Sequence, residues 1–127
     1  MIGGRVLDTT AMGAAATGTS LYVQAFVSAA RSTGIVLAVP TVAWEHTWQD
    51  CRLEDRPFLQ LMRDMSIVVF DDLTPDAGQA AGLLGRGHDL DVLHVAWSAL
   101  TRDWDVLTSR PETFRGVHPD IGVEPIR

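Results

Sequence analysis

Short apolar runs alternate with longer amphipathic stretches along this chain. Five runs have the length of strands, and the first four are continuous rather than alternating, as in strands covered on both faces. They lie at residues 5–7, 35–39, 67–70, 106–107 and, more weakly, 121–123. Apolar residues at helical spacing predict helices at 21–31, 41–52, 57–65, 76–84 and 91–102. Strands that alternate with helices predict an α/β fold, a three-layer sandwich around a mainly parallel sheet of about five strands.

Length and composition predict one ordinary globular domain over residues 1–127. The chain has 127 residues, 46% hydrophobic and 20% charged, within the range of one domain of about 100–200 residues. No apolar run approaches the ~20 residues of a membrane span, and no long apolar stretch follows Arg5 as a signal peptide requires. The single cysteine, Cys51, excludes an internal disulfide and any CxxC motif. We therefore expect a cytoplasmic protein without membrane association.

The charged residues narrow the possible chemistry. Sixteen acids face ten bases, which gives a net charge of −6, and all ten bases are arginine. The absence of lysine excludes Schiff-base chemistry, a Walker-type phosphate loop and the lysine of receiver-type phosphoaspartate domains. The acidic balance argues against a broad phosphate-binding surface. It remains compatible with a nuclease whose metal ions supply positive charge at one site.

Three acids follow or precede strands at positions where they can meet. Functional sites of parallel sheets lie outside the carboxyl ends of the strands. Asp8 follows the first strand, Glu45 lies early in the helix after the second, and Asp91 opens the helix before the fourth. Carboxylates brought together repel each other, and a hard cation such as Mg²⁺ relieves that repulsion. The three acids thus predict a hydrolytic metal site.

Each acid also has a purely structural interpretation. Asp8 precedes Thr9 as a helix N-cap would, Glu45 has the position of a solvated helix residue, and either Asp89 or Asp91 can cap the next helix. Residues 71–72 have the position of a strand end before a turn. On sequence spacing alone, these interpretations stay open beside the metal site.

Histidine and aromatic positions admit two interpretations as well. His94 and Ser98 lie on one stripe with Asp91, which either faces a polar cleft or holds a packed histidine. Trp44, Trp48 and Phe58 place much aromatic surface in one region. Part of that surface is expected at the two-fold interface of a homodimer.

Four segments resemble the motifs of PIN-domain proteins, and they occur in the family's order. Residues 6–12 (VLDTTAM) resemble the opening strand motif, and residues 39–45 (VPTVAWE) resemble the second strand with its acidic helix. Residues 91–96 (DVLHVA) are similar to the third acidic helix start, and residues 106–111 (VLTSRP) to the last strand motif. The resemblance extends from residue 6 to about residue 125.

The resemblance implies a fold, an activity and partners. It implies a sheet ordered 3-2-1-4-5 and a VapC-type toxin, a Mg²⁺- or Mn²⁺-dependent endoribonuclease that hydrolyses RNA phosphodiesters. Asp8, Glu45 and Asp91 would be catalytic metal ligands, and Thr9 and Thr108 would orient water or substrate phosphate. Such toxins are usually homodimers that a co-expressed antitoxin protein holds inactive.

One position departs from the family pattern. Arg110 stands where members often carry a fourth acid after Thr108-Ser109. Arg110 would either position a substrate phosphate or fill the acidic pocket itself. The second case predicts a catalytically degraded PIN-like domain that acts as a protein- or RNA-binding module. A phosphotransfer or dehalogenase-like hydrolase is a third alternative, but those families need a lysine and a second Asp two residues after Asp8.

Overall fold

A computed structural model describes residues 3–127, so the first two residues of the predicted domain lie outside the described part. The strands are β1 (Gly4–Leu7), β2 (Val36–Pro40), β3 (Val68–Asp71), β4 (Asp105–Thr108) and β5 (Val123–Pro125). The α-helices are α1 (Thr9–Thr17), α2 (Leu21–Thr33), α3 (Thr41–Asp50), α4 (Arg56–Arg63), α5 (Pro75–Gly82), α6 (Leu90–Arg102) and α7 (Pro111–Val117). A 3₁₀ turn at Leu53–Asp55 joins α3 to α4.

The five strands form one sheet in the order β3-β2-β1-β4-β5. Every pair of neighbours is parallel, and at the centre Val6 of β1 lies between Ala38 of β2 and Val106 of β4. Strands β2 and β3 lie on one side of β1, and β4 and β5 lie on the other. Right-handed crossovers on the two sides therefore put helices on both faces of the sheet. The predicted α/β class, the parallel sheet and the strand order are confirmed.

The continuous apolar runs of the sequence form the centre of the core. Val6, Leu37, Val39 and Leu107 are fully buried because helices cover both faces of the sheet. The helix ends follow local chemistry, since the Ser20 hydroxyl caps α2 and Gly34, with φ 79°, ends it. Among residues 3–127, no helix is both long and apolar enough to cross a lipid bilayer.

The structure contains two helices that the apolar pattern does not predict. The sequence of α1, TTAMGAAAT, consists of small residues and has almost no separation of apolar and polar faces. Helix α7 has only seven residues, with Pro111 at its start. The last strand also lies later than predicted, because Ile121 is buried in the core ahead of β5 rather than within it.

Candidate active site

Asp8 lies at the end of the central strand and begins helix α1. Its Oδ1 accepts a hydrogen bond from the Ala11 backbone N–H at 2.9 Å, which confirms the capping role predicted for it. The side chain is also 1% exposed, which is unusual for an aspartate that only caps a helix. The cap therefore holds a buried carboxylate at the edge of the sheet where sites of parallel α/β folds form.

Two threonine hydroxyls complete the surroundings of Asp8. Thr10 Oγ1 donates to Asp8 Oδ1 at 2.6 Å, and Thr108 Oγ1 donates to Asp8 Oδ2 at 2.6 Å. Each hydroxyl in turn accepts a backbone N–H from the loop after β4, from Ser109 to Thr10 and from Arg110 to Thr108, both at 2.9 Å. The strand β4, its loop and the first turn of α1 thus fix the orientation of the carboxylate.

The sequence identified one of these two threonines and missed the other. Thr108 contacts Asp8, whereas the Thr9 hydroxyl contacts Arg110. The predicted role of Thr9 and Thr108, to orient water or substrate phosphate, stays a prediction. Thr10 takes the second position beside Asp8. The sequence signal for Thr10 was its position two residues after the capping aspartate, in the first turn of the helix that Asp8 begins.

The electrostatic state of Asp8 reflects its burial. Burial raises the pKa of Asp8, and the hydrogen bonds from Thr10, Thr108 and the Ala11 N–H, together with the positive charge of Arg110, oppose that rise without cancelling it. The protein neighbours of Asp8 therefore stabilise its negative charge less well than water does. A bound cation would favour the charged form.

Arg110 lies at the rim of this site. Its side chain is exposed, and its guanidinium donates to Thr9 Oγ1 at 3.5 Å. Within residues 3–127 it forms no ion pair with a carboxylate. The guanidinium thus leaves the oxygens of Asp8 and Asp91 to other partners.

Glu45 and Asp91 line a second part of the same sheet edge. They share a groove of about 340 Å³ whose walls come from α3 and the start of α6: Val42, Glu45, His46, Gln49, Asp89, Leu90 and Asp91. Asp91 is 5% exposed, and Glu45 is exposed on α3. Asp89 occupies the N-cap position of α6, so of the two candidates that the sequence left open, Asp89 and Asp91, the structure has Asp89 as the cap. Asp91 lies two positions after the N-cap, within the first turn of the helix.

The structure brings the three predicted ligands to one end of the sheet but not around one point. Asp8 does not line the groove of Glu45 and Asp91. Among residues 3–127, no group of three or more His, Cys, Asp and Glu side chains is close enough to hold one ion. The donors themselves, carboxylate and hydroxyl oxygens with a buried charge, fit a hard divalent cation, and the ligand assignment stays a prediction.

His46 connects the two parts of the site. It lines the Glu45–Asp91 groove and also a groove of about 190 Å³ that includes Thr9 and Thr10. Its Nε2 lies 3.0 Å from Asp50 Oδ2, and its Nδ1 lies 4.0 Å from Asp91 Oδ1. Sequence analysis did not single out His46, because Asp50 is an ordinary neighbour one turn along the same helix and Asp91 reaches His46 only through the packing of α3 against α6.

The stripe after Asp91 is packed rather than open to a cleft. His94 is fully buried, stacks on Trp97, and its Nδ1 accepts the Val42 N–H at 3.4 Å. Ser98 is also fully buried and donates to Asp71 at the end of β3. The interpretation of His94 as a packed histidine is confirmed, and this stripe joins α6 to the sheet.

Comparisons with known proteins show a likeness of fold. No protein-family model matches the sequence, and no curated protein matches it. A chain of VapBC2 from Rickettsia felis, in a crystal structure bound to a DNA fragment from the promoter, superposes with a TM-score of 0.72 at 14% identity, over 100% of both chains. A chain of DNA-bound VapBC from Salmonella typhimurium gives 0.71 at 15% identity, over 98% of both chains. With the strand order 3-2-1-4-5, these comparisons show that the chain has the PIN-domain fold found in VapBC complexes.

Proposed function

We propose that this protein is a metal-dependent endoribonuclease of the PIN type and the toxin of a bacterial toxin–antitoxin pair. The observation that carries the proposal is Asp8. It is a buried carboxylate at the end of the central strand, held by two hydroxyls and a helix N-terminus, with no ion-pair partner among residues 3–127. A structural aspartate would be exposed or paired with a base. A carboxylate in this state suits the binding of a cation.

The cation we propose is Mg²⁺ or Mn²⁺, held by Asp8, Asp91 and Glu45. These oxygen donors suit a hard cation that keeps several waters and accepts few protein ligands. When bound, such a cation lowers the pKa of water and neutralises charge that develops on phosphorus. Because the chain has a net charge of −6, such local positive charge would favour the binding of RNA phosphates.

The surrounding residues position the reacting groups. Thr10 and Thr108 keep both oxygens of Asp8 in one orientation, because each hydroxyl is itself held by a backbone N–H. Arg110 and Thr9 form the exposed rim and together offer a guanidinium and a hydroxyl to a substrate phosphate. In this mechanism Arg110 binds the phosphate beside the scissile bond and stabilises its charge in the transition state.

The proposed partners are RNA and an antitoxin protein, and the proposed assembly is a homodimer. The likeness to chains from two VapBC complexes supports the toxin assignment and the protein partner. The proposed location is the cytoplasm, where RNA is available.

A second function has one specific observation in its favour. The described residues contain no ready-made cluster of three metal ligands, as expected of a PIN-like domain that has lost catalysis and binds protein or RNA. Arg110 is exposed and forms no ion pair with a carboxylate among residues 3–127, which argues against this second function. A blocked site would place the guanidinium on Asp8 or Asp91.

The test is RNA cleavage with Mn²⁺ by the wild type and three variants on RNA of mixed sequence. Asp8→Asn should lower the rate by more than about 100-fold, because it removes the charge that holds the cation. Arg110→Asp should lower the rate while metal affinity rises, since it exchanges a phosphate-binding group for a carboxylate. Asp120→Asn, an exposed change away from the site, should leave the rate unchanged. A folded wild type that neither binds Mn²⁺ nor cleaves RNA would favour the binding module.

A further inference from the structure

A groove between α1 and the second half of α3 lies beside the proposed site. This α1–α3 groove has a volume of about 190 Å³, and its lining includes Thr9, Gly13, His46, Cys51 and Asp55. The Thr9 hydroxyl also accepts an N–H of the Arg110 guanidinium at 3.5 Å. The groove therefore adjoins the rim to which we assign a substrate phosphate. Pockets for drug-sized ligands measure about 300–1,000 Å³, so this smaller groove suits a single planar ring system.

Gly13 keeps part of the α1–α3 groove open. It lies in the interior of α1, where glycine is less favourable than alanine because it loses more backbone freedom on folding. A Cβ atom on Gly13 would meet no atom of the surrounding protein within 4 Å, and the φ angle of Gly13 is not positive. Neither packing nor backbone conformation therefore requires this glycine. Its missing side chain leaves open space in the groove wall.

Asp55 supplies a free hydrogen-bond acceptor to the same groove. It is 5% exposed, and the backbone N–H and Nε of Arg52 donate to its Oδ2 at 3.3 and 3.4 Å. Within residues 3–127, no hydrogen bond reaches Asp55 Oδ1. That oxygen is not sealed inside the protein. Because a largely buried charged oxygen without a donor is costly, the groove wall suits a ligand that carries N–H groups.

We propose that the α1–α3 groove receives the nucleobase next to the phosphate on Arg110, an inference that rests on the proposed function. Proteins that read RNA sequence commonly bind the edges of unstacked bases in single strands. A charged carboxylate only accepts hydrogen bonds. Asp55 therefore favours guanine, adenine or cytosine, which carry amino groups, over uracil with its two carbonyl oxygens. Gly13 leaves the room that the ring occupies.

Cys51 gives a direct test, because it lines the groove and is the single cysteine of the chain. Alkylation by iodoacetamide without metal, followed by mass spectrometry, measures its accessibility. Guanosine, adenosine or cytidine monophosphate at ten times its dissociation constant should slow alkylation by about ten-fold, by mass action. Uridine monophosphate should protect less, and ribose 5-phosphate, which has no base, should not protect. Equal protection by ribose 5-phosphate, no protection by any nucleotide, or a Cys51 that never reacts would overturn the inference.

Variants of Gly13 test the same groove by filling it. Gly13→Ala should raise the midpoint of thermal unfolding, because alanine is the better helix former and its methyl group has space. It should also weaken the nucleotide protection of Cys51, and Gly13→Leu should abolish that protection. Gly82→Ala is the matched control, since Gly82 is an exposed helical glycine whose added Cβ also meets nothing within 4 Å. The control should leave nucleotide protection unchanged. A lower midpoint for Gly13→Ala with unchanged protection would show a purely structural glycine.

RNA cleavage with Mn²⁺ separates this inference from the proposed function. The wild type should prefer an amino-bearing base at one position beside the cleaved bond. Gly13→Leu should lose that preference and lower kcat/KM by about ten-fold or more. Wild-type cleavage without a base preference, or an unchanged preference in Gly13→Leu, would overturn the groove and leave the nuclease intact. A folded wild type that cleaves no RNA, but whose Cys51 is protected by nucleotides, would overturn the nuclease and keep the groove as a base-binding site.

Discussion

At the residue scale, Asp8 combines two roles that oppose each other energetically. It caps α1 and so stabilises the helix, yet burial raises its pKa and makes its charged form unfavourable in the native state. An acid whose folded pKa is raised costs stability above that pKa, because only the unfolded state solvates the charge fully. The cost disappears as the pH falls and the native state takes up the proton.

Replacement of Asp8 by asparagine tests this conflict. Without metal at pH 7, Asp8→Asn should raise the midpoint of thermal unfolding, because asparagine caps a helix about as well as aspartate and carries no charge to bury. The gain should shrink as the pH falls through the raised pKa of Asp8 and should be lost below the usual value of 3.8. Circular dichroism melts between pH 3 and pH 8 measure it. A lower midpoint for the variant at pH 7 would show that the charge stabilises the fold.

At the scale of elements, one ion pair joins helix α6 to the edge strand β3. Arg102 Nη2 and Nε donate to the two oxygens of Asp71 at 2.6 and 2.8 Å, and Ser98 donates to the same carboxylate. Burial by itself raises the pKa of Asp71, but Arg102 and Ser98 outweigh it, and the pKa lies below its usual value of 3.8. The sequence indicated only that Asp71 ends a strand.

The Asp71 pair should contribute stability that depends on pH. Because its folded pKa is lowered, the contribution is present above the usual pKa and is lost as the pH falls through the lower folded value. Asp71→Asn should reduce the free energy of unfolding at pH 7 by about 1–3 kcal/mol, and the difference should shrink as the pH falls below the usual value of 3.8 and through the lowered folded pKa. Urea unfolding measures both values.

A matched control is the exposed pair of Glu112 and Arg115 on α7. Glu112→Gln should change the free energy of unfolding by less than about 1 kcal/mol, because water screens exposed pairs. If Asp71→Asn and Glu112→Gln lower the free energy of unfolding equally, the bidentate Asp71–Arg102 pair contributes no more to stability than the exposed pair, which would contradict this prediction.

At the scale of the whole molecule, the uncompensated carboxylates predict that metal stabilises the fold. A cation that binds only the native state adds about 2.7 kcal/mol at one hundred times its dissociation constant, which raises the melting midpoint by about 10 °C for a chain of this size. Asp8→Asn should show a much smaller rise. Differential scanning calorimetry with Mn²⁺ tests this, and a wild-type midpoint that stays constant up to millimolar Mn²⁺ would count against the site.

The homodimer is a second prediction at this scale. Trp44 and Trp48 pack edge to face at 5.9 Å and stay half-buried on a groove of about 350 Å³, which Gln60 also lines. If this surface forms the two-fold interface, Gln60→Arg should weaken the dimer by about ten-fold or more, equivalent to about 1.4 kcal/mol. Gln24→Arg, an exposed change on α2, is the control. Sedimentation that finds only wild-type monomer at micromolar protein would remove the prediction.

The sequence by itself determined the architecture of this protein. Continuous apolar runs such as residues 35–39 have no polar face and must lie inside a covered sheet, so their alternation with helices led to the parallel α/β fold. Asp8 could be located for a related reason, because a strand followed at once by a capping residue places that side chain at the carboxyl edge. Helix α1 escaped prediction since its small residues carry no amphipathic pattern.

Only the tertiary structure decided which side chains meet. Thr10 and Thr108 are 98 residues apart and converge on Asp8 because β1 pairs with β4. His46 reaches Asp91 because α3 packs on α6, and Arg102 reaches Asp71 because α6 crosses to the edge strand. Local patterns report the periodicity of one element, whereas these contacts depend on the register and packing between elements. The sequence thus specified the edge where a site forms, and the packing specified the partners of each carboxylate.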